Sequence, residues 1–118
     1  MTSTRRPMGA LEDHVMAYLW AVEEAAAPEV HQAVAPDLAY TTVTTVLSRL
    51  WDKGRVERAR RGRSYVYSPV RSEAEHRADT MTTTLGASAD RAAVLSNFVD
   101  ALTATDVAVL RDLLDEDS

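Results

Sequence analysis

The chain contains no cysteine. Disulfides, thiolate catalysis and cysteine-based zinc or copper sites are therefore excluded, and a reducing compartment is permitted. Lysine occurs once, at Lys53, against twelve arginines, and phenylalanine once, at Phe98. Aromatic residues amount to 6%, so Leu, Val and Ala must fill the core. No apolar run reaches the roughly 18 residues that cross a bilayer, and no membrane insertion is expected. Arg5 and Arg6 lie in the segment Met1 to Pro7 with no apolar stretch behind them, which argues against a secretory signal and for a cytoplasmic protein. Glycine-rich phosphate loops, a serine nucleophile elbow and carboxylate pairs at catalytic spacing are all missing. The three histidines, His14, His31 and His76, fall on separate predicted helices, and no spacing puts two ligands on one face. The expectation is a protein that is not an enzyme, with no catalytic residue, no metal and no cofactor.

The 118 residues are 46% apolar, which suits one compact domain, or one domain with a short appendage. The net charge of −5 conceals an uneven distribution. Residues 1–71 hold ten basic and eight acidic side chains; residues 72–118 hold three and ten. Between positions 49 and 63 seven basic residues (Arg49, Lys53, Arg55, Arg58, Arg60, Arg61, Arg63) face two acidic ones (Asp52, Glu57). A basic segment in an acidic chain is a local footprint for a polyanion.

Residues 9–24 place Leu11, Val15, Tyr18, Leu19 and Val22 on one face of a helix, with Met16 and Trp20 beside them. Pro28 opens a short helix over 28–35, with Val30 and Val34 inward, and Pro36 ends it. A third helix runs from about Tyr40 to Lys53 on Val43, Val46, Leu47 and Leu50, with Gly54 as its stop. Its other face is Thr41, Thr42, Thr44, Thr45, Ser48 and Arg49. Threonine is a mediocre helix former, so something other than propensity favours that cluster. Arg55 to Tyr67 reads as a β-hairpin with its tip at Arg60–Arg63, ended by Ser68-Pro69. Beyond it lie helices. Ser72 with Glu75 forms a capping box for one that reaches Thr84, Gly86 breaks it, and Ser88 caps the next. That helix carries Val94, Leu95, Phe98, Val99 and Leu102, and Thr103 with Asp106 opens a last one bearing Val107, Leu110, Leu113 and Leu114. The acidic tail from Asp115 to Asp117 reads as a solvated, fraying end.

Two short helices, a polar-faced helix and a basic hairpin predict a mostly α fold: a winged helix-turn-helix over 1–70 and a helical dimerisation region over 71–118. A helix fits the major groove with its N-terminal turns at the base edges, and threonine offers a hydroxyl and a methyl there. Thr41, Thr45 and Arg49 share one line at i, i+4, i+8, with Thr42 alongside. Arg49 reaches guanine or phosphate; the sequence leaves that open. Arg60, Arg61 and Arg63 would follow the phosphate backbone. About 47 residues are too few to fold alone, so the C-terminal apolar faces of Val94, Leu95, Phe98, Leu102, Leu110 and Leu114 are expected to meet a second copy.

Three segments carry a family likeness: Gly9 to Trp20 (GALEDHVMAYLW), Ala39 to Gly54 (AYTTVTTVLSRLWDKG) and Arg61 to Pro69 (RGRSYVYSP). In order and spacing they resemble the penicillinase and methicillin-resistance repressors, the BlaI/MecI family that is grouped with the copper repressor CopY. The resemblance covers nearly the whole chain. It implies a homodimeric winged-helix repressor on a pseudo-palindromic, double-stranded operator, with Thr41, Thr42, Thr45 and Arg49 facing DNA and Arg60, Arg61 and Arg63 on the wing. Members of the β-lactam branch, which serves an antibiotic response, are cut between an Asn and a Phe in the dimerisation helix, and Asn97-Phe98 stands in the corresponding place. The protease there is a membrane-bound zinc receptor, so the zinc belongs to the partner. The copper branch carries C-terminal cysteines, which this chain lacks. A winged-helix module for protein interaction, without DNA, is the alternative; its exposed helix would be apolar or acidic, not hydroxylic and basic. A ligand-sensing winged-helix regulator is a third reading, for which no aromatic cluster marks a pocket.

Overall fold

A computed structural model describes residues 8–116. Arg5, Arg6 and the rest of the segment 1–7, and Asp117 at the end of the acidic tail, lie outside the described residues. The elements are α1 (Met8–Val22), β1 (Ala25–Ala26), α2 (Ala27–Val34), α3 (Tyr40–Asp52), β2 (Val56–Arg61), β3 (Ser64–Pro69), α4 (Glu73–Gly86), α5 (Arg91–Ala101) and α6 (Ala104–Glu116). They form two compact units, one through His76 and one from Arg77 onward.

In the N-terminal unit α1, α2 and α3 enclose a core of Leu11, Val15, Met16, Leu19, Val30, Val43, Val46, Leu47 and Leu50, closed by Val56 and Tyr67 of the sheet. Burying each of these large aliphatic side chains contributes roughly 1.5–3 kcal/mol. Val22 departs from expectation: as the last residue of α1 it is exposed and not part of the core. Glu23 adopts a left-handed backbone with φ of 76°, and its N–H donates to Leu19 O at 2.7 Å, which closes the helix. The chain then enters β1, a two-residue strand that the sequence did not announce. Pro28 stands in the first turn of α2, and Glu29 Oε1 accepts from Ala26 N at 2.8 Å.

The sheet is antiparallel, in the order β1-β3-β2. Arg61 pairs with Ser64, leaving Gly62 and Arg63 as the turn. Gly62 has φ of 63°, the glycine-first arrangement of a type II′ hairpin, whose twist suits the strands. The register divides the hairpin between two faces: Val56, Arg58, Arg60, Tyr65 and Tyr67 on one, Glu57, Ala59, Arg61, Ser64 and Val66 on the other.

The first turn of α4 belongs to the N-terminal unit, which ends at His76, six residues past the division at residue 70 expected from sequence. His76 explains it. Its Nε2 meets Arg55 Nη2 at 2.9 Å, its ring lies 5.4 Å from that of Trp20, and Trp20 Nε1 donates to Arg71 O at 2.9 Å. The capping box forms as read: Glu75 N donates to Ser72 Oγ, and Ser72 N to Glu75 Oε1.

In the C-terminal unit the cap of α5 is Asp90, which accepts from Ala93 N at 3.0 Å, and not Ser88. Ser88 Oγ instead accepts from Asp90 N and shapes the approach. Thr103 and Asp106 exchange the two bonds of a capping box at the start of α6. Among the described residues of this unit no side chain is fully buried. Met81, Val94, Leu95, Phe98, Val99, Leu110, Leu113 and Leu114 are all exposed, and Leu102 is half-buried.

Candidate nucleic-acid interface

The amphipathic pattern of α3 determines what the helix shows to solvent. Val43, Val46, Leu47 and Leu50 are completely buried, which turns Thr41, Thr45, Ser48 and Arg49 outward, with Thr42 and Thr44 half-buried at the flanks. Thr44 and Thr45 each donate a hydroxyl proton to Thr41 O, at 3.0 and 2.8 Å. These bonds account for threonines inside a helix: the donors are satisfied locally, while the methyl groups and hydroxyl lone pairs remain outside. No hydrogen bond or ion pair among the described residues engages the Arg49 guanidinium.

Both ends of α3 are fixed. At the N-terminus His31 Nε2 lies 2.7 Å from Leu38 O, and its ring meets Tyr40 edge-on at 5.7 Å. This histidine pins the turn between α2 and α3; a lone histidine in sequence carries no sign of it. At the C-terminus Arg55 N donates to Leu50 O and Gly54 N to Trp51 O, a Schellman closure made possible by φ of 74° at Gly54. Lys53 Nζ also reaches the buried Glu12 of α1 at 2.7 Å.

The wing arginines are not equivalent. Arg60 shares the sheet face of Tyr65, its guanidinium 5.8 Å from the ring centroid, and Arg63 stands exposed in the turn. Arg61 projects from the opposite face, where Glu24 takes it in a two-pronged ion pair at 2.9 and 3.1 Å. Both partners are largely exposed, so the pair is weak and open to exchange. Thr41, Thr42, Thr45 and Arg49 thus come together on α3, Arg60 and Arg63 lie along the hairpin, and Arg61 turns away. No group of acidic or histidine side chains among the described residues forms a metal site. Val94, Leu95 and Phe98 line a groove of about 350 Å³ within the C-terminal unit, with Met81 and Leu85 of α4 as the facing wall. Asn97 Nδ2 donates to Ala93 O at 2.9 Å, so the Asn97-Phe98 bond lies in regular helix.

Comparison with known proteins agrees with this geometry. The family model of the penicillinase repressor matches residues 8–116. The transcriptional regulator BlaI of Mycobacterium tuberculosis (strain CDC 1551 / Oshkosh) is 39% identical over 115 residues, covering 92% of this chain and 83% of its own; the regulator of strain H37Rv gives the same figures. Among solved structures, the DNA-binding domain of the repressor BlaI superposes with a TM-score of 0.51 at 26% identity, over 64% of this chain and 93% of that domain. The complex of hsRosR-S4 gives 0.53 at 21% identity, over 86% and 90%, a likeness of fold alone. The chain belongs to the penicillinase repressor family: it is a transcriptional repressor of the BlaI type on a winged-helix DNA-binding fold, and not an enzyme.

Proposed function

We propose that the chain acts in the cytoplasm as a homodimer on a pseudo-palindromic operator, with one α3 in the major groove of each half-site. The observation that carries this is the division of α3: four aliphatic side chains wholly buried, and opposite them hydroxyls with an arginine that has no ion-pair partner among the described residues. Thr41, Thr42 and Thr45 meet the base edges, and Arg49, two turns on, takes guanine or phosphate. Arg60 and Arg63 follow the phosphate backbone. Arg61 joins them by exchanging Glu24 for a phosphate.

The C-terminal unit leaves many large aliphatic side chains and Phe98 exposed, and clustered exposed apolar side chains mark interaction surfaces. Val94, Leu95, Phe98, Leu102, Leu110 and Leu114 supply the two-fold contact. Cleavage at Asn97-Phe98 by a membrane-bound zinc protease is the proposed route of inactivation. It needs local opening of α5, since a protease takes extended backbone and this bond is helical.

The experiment is a gel shift with fragments of the protein's own promoter region. The expected result is a salt-sensitive complex that Arg49→Ala weakens at least about tenfold. Absence of any complex at low ionic strength overturns the reading.

A further inference from the structure

Two arginines of the basic segment, Arg55 and Arg58, have no DNA role from sequence, and Arg55 is taken up by His76. Arg58 on β2 packs against two aromatic rings: its guanidinium carbon is 4.3 Å from the ring centroid of Trp51, in the last turn of α3, and 4.6 Å from that of Tyr65 on β3. The register produces the arrangement. Arg58 opposes Tyr67 and Arg60 opposes Tyr65, so all four project from the sheet face that also carries the buried Val56. Toward the core that face is packed; toward the hairpin tip it opens, and Trp51 and Tyr65 are 40% and 38% exposed.

A guanidinium packed against two rings has its in-plane N–H donors as its only polar groups. No acceptor among the described residues takes those of Arg58, whereas Arg55 has His76 and Arg61 has Glu24. Contact with two rings restricts the fork, so less side-chain freedom remains to be lost when an acceptor arrives. Planar, two-pronged donation is the geometry that a phosphate accepts.

We infer that Arg58 donates in this way to a phosphate of the duplex backbone, with Trp51 and Tyr65 as positioning residues that act through it. The inference rests on the DNA-binding reading above. Phosphate is chosen over a base edge because Arg58 packs beside the C-terminal turn of α3, while base edges are met by N-terminal turns.

The test uses the full chain and a labelled duplex of arbitrary sequence, titrated by fluorescence anisotropy over a series of salt concentrations. Arg58→Gln keeps a planar end without charge. It lowers affinity about tenfold and reduces the slope of log K against log salt by about 0.9 for each protomer bound. Tyr65→Leu lowers affinity severalfold and leaves the slope unchanged, because the charge is retained but no longer held. Arg58→Lys behaves like Tyr65→Leu. An Arg58→Gln protein with the parent's slope overturns the phosphate contact, whether its affinity is kept or lost. Parental affinity in both Tyr65→Leu and Arg58→Lys overturns the positioning role. A parent chain with no salt-dependent binding instead removes the DNA-binding reading beneath it.

Discussion

Lys53 Nζ lies 2.7 Å from Glu12 Oε1, and the pair ties the C-terminal end of α3 to α1. The glutamate side chain is 5% exposed and the lysine 54%, so the only lysine of the chain serves a buried carboxylate. Removing the lysine leaves that carboxylate uncompensated, an effect softened by the water that reaches Lys53. Lys53→Ala is expected to cost about 1–2 kcal/mol. Adding Glu12→Leu returns most of the loss, since an apolar pair replaces a stranded charge. Thermal melts of parent, both single variants and the double variant measure the coupling. Equal melting of parent and Lys53→Ala contradicts it.

Glu23 holds a left-handed backbone that disfavours any residue with a Cβ. Glu23→Gly relieves this and, after allowing for the freer unfolded chain, stabilises the fold by roughly 0.5–1 kcal/mol. The melting temperature rises by a few degrees; a fall shows that the side chain contributes more than the strain removes.

The Glu75 carboxylate accepts the backbone N–H of Ser72 at 2.9 Å. That bond, then the bonding with the Ser72 side chain and the nearby charge of Arg71, holds its pKa below the usual 4.5 against a smaller opposing effect of burial. The folded-state value is depressed, so this contribution is complete above the ordinary carboxylate range and disappears as the pH falls through the lowered value. Glu75→Gln keeps an acceptor but cannot titrate. Its melting temperature therefore falls less than the parent's on acidification below about pH 4.5. Parallel pH profiles show that the box does not contribute to acid sensitivity.

Phe98 is 39% exposed at the groove between α4 and α5. If that surface faces a second copy, Phe98→Asp places a charge in a dry contact and yields monomers in sedimentation velocity. A dimer that survives the change refutes the packing.

Much of the fold can be read in the sequence because its signals are periodic or local. Val43, Val46, Leu47 and Leu50 declare α3 by spacing, Gly54 and Gly62 mark its stop and the hairpin turn, and two capping boxes announce α4 and α6. What is missed has no local signature. Ala25 and Ala26 become a strand only because β3 offers an edge, and Glu23 ends α1 in a conformation that its type disfavours. Asp90 outcompetes Ser88 as a cap through its position two residues nearer the helix. The candidate interface shows the same division. Thr41, Thr45 and Arg49 follow from helical spacing, but the diversion of Arg61 to Glu24 and the packing of Arg58 on Trp51 and Tyr65 depend on residues brought together from distant positions.

Footprinting of the purified protein on its own promoter region bears most directly on whether the threonine and arginine face of α3 enters a duplex groove. The predicted result is protection of two half-sites about 34–36 Å apart, or a multiple of that spacing, lost in Arg49→Ala under conditions where the variant melts like the parent. Protection unchanged by Arg49→Ala, or no protected site at low ionic strength, contradicts it.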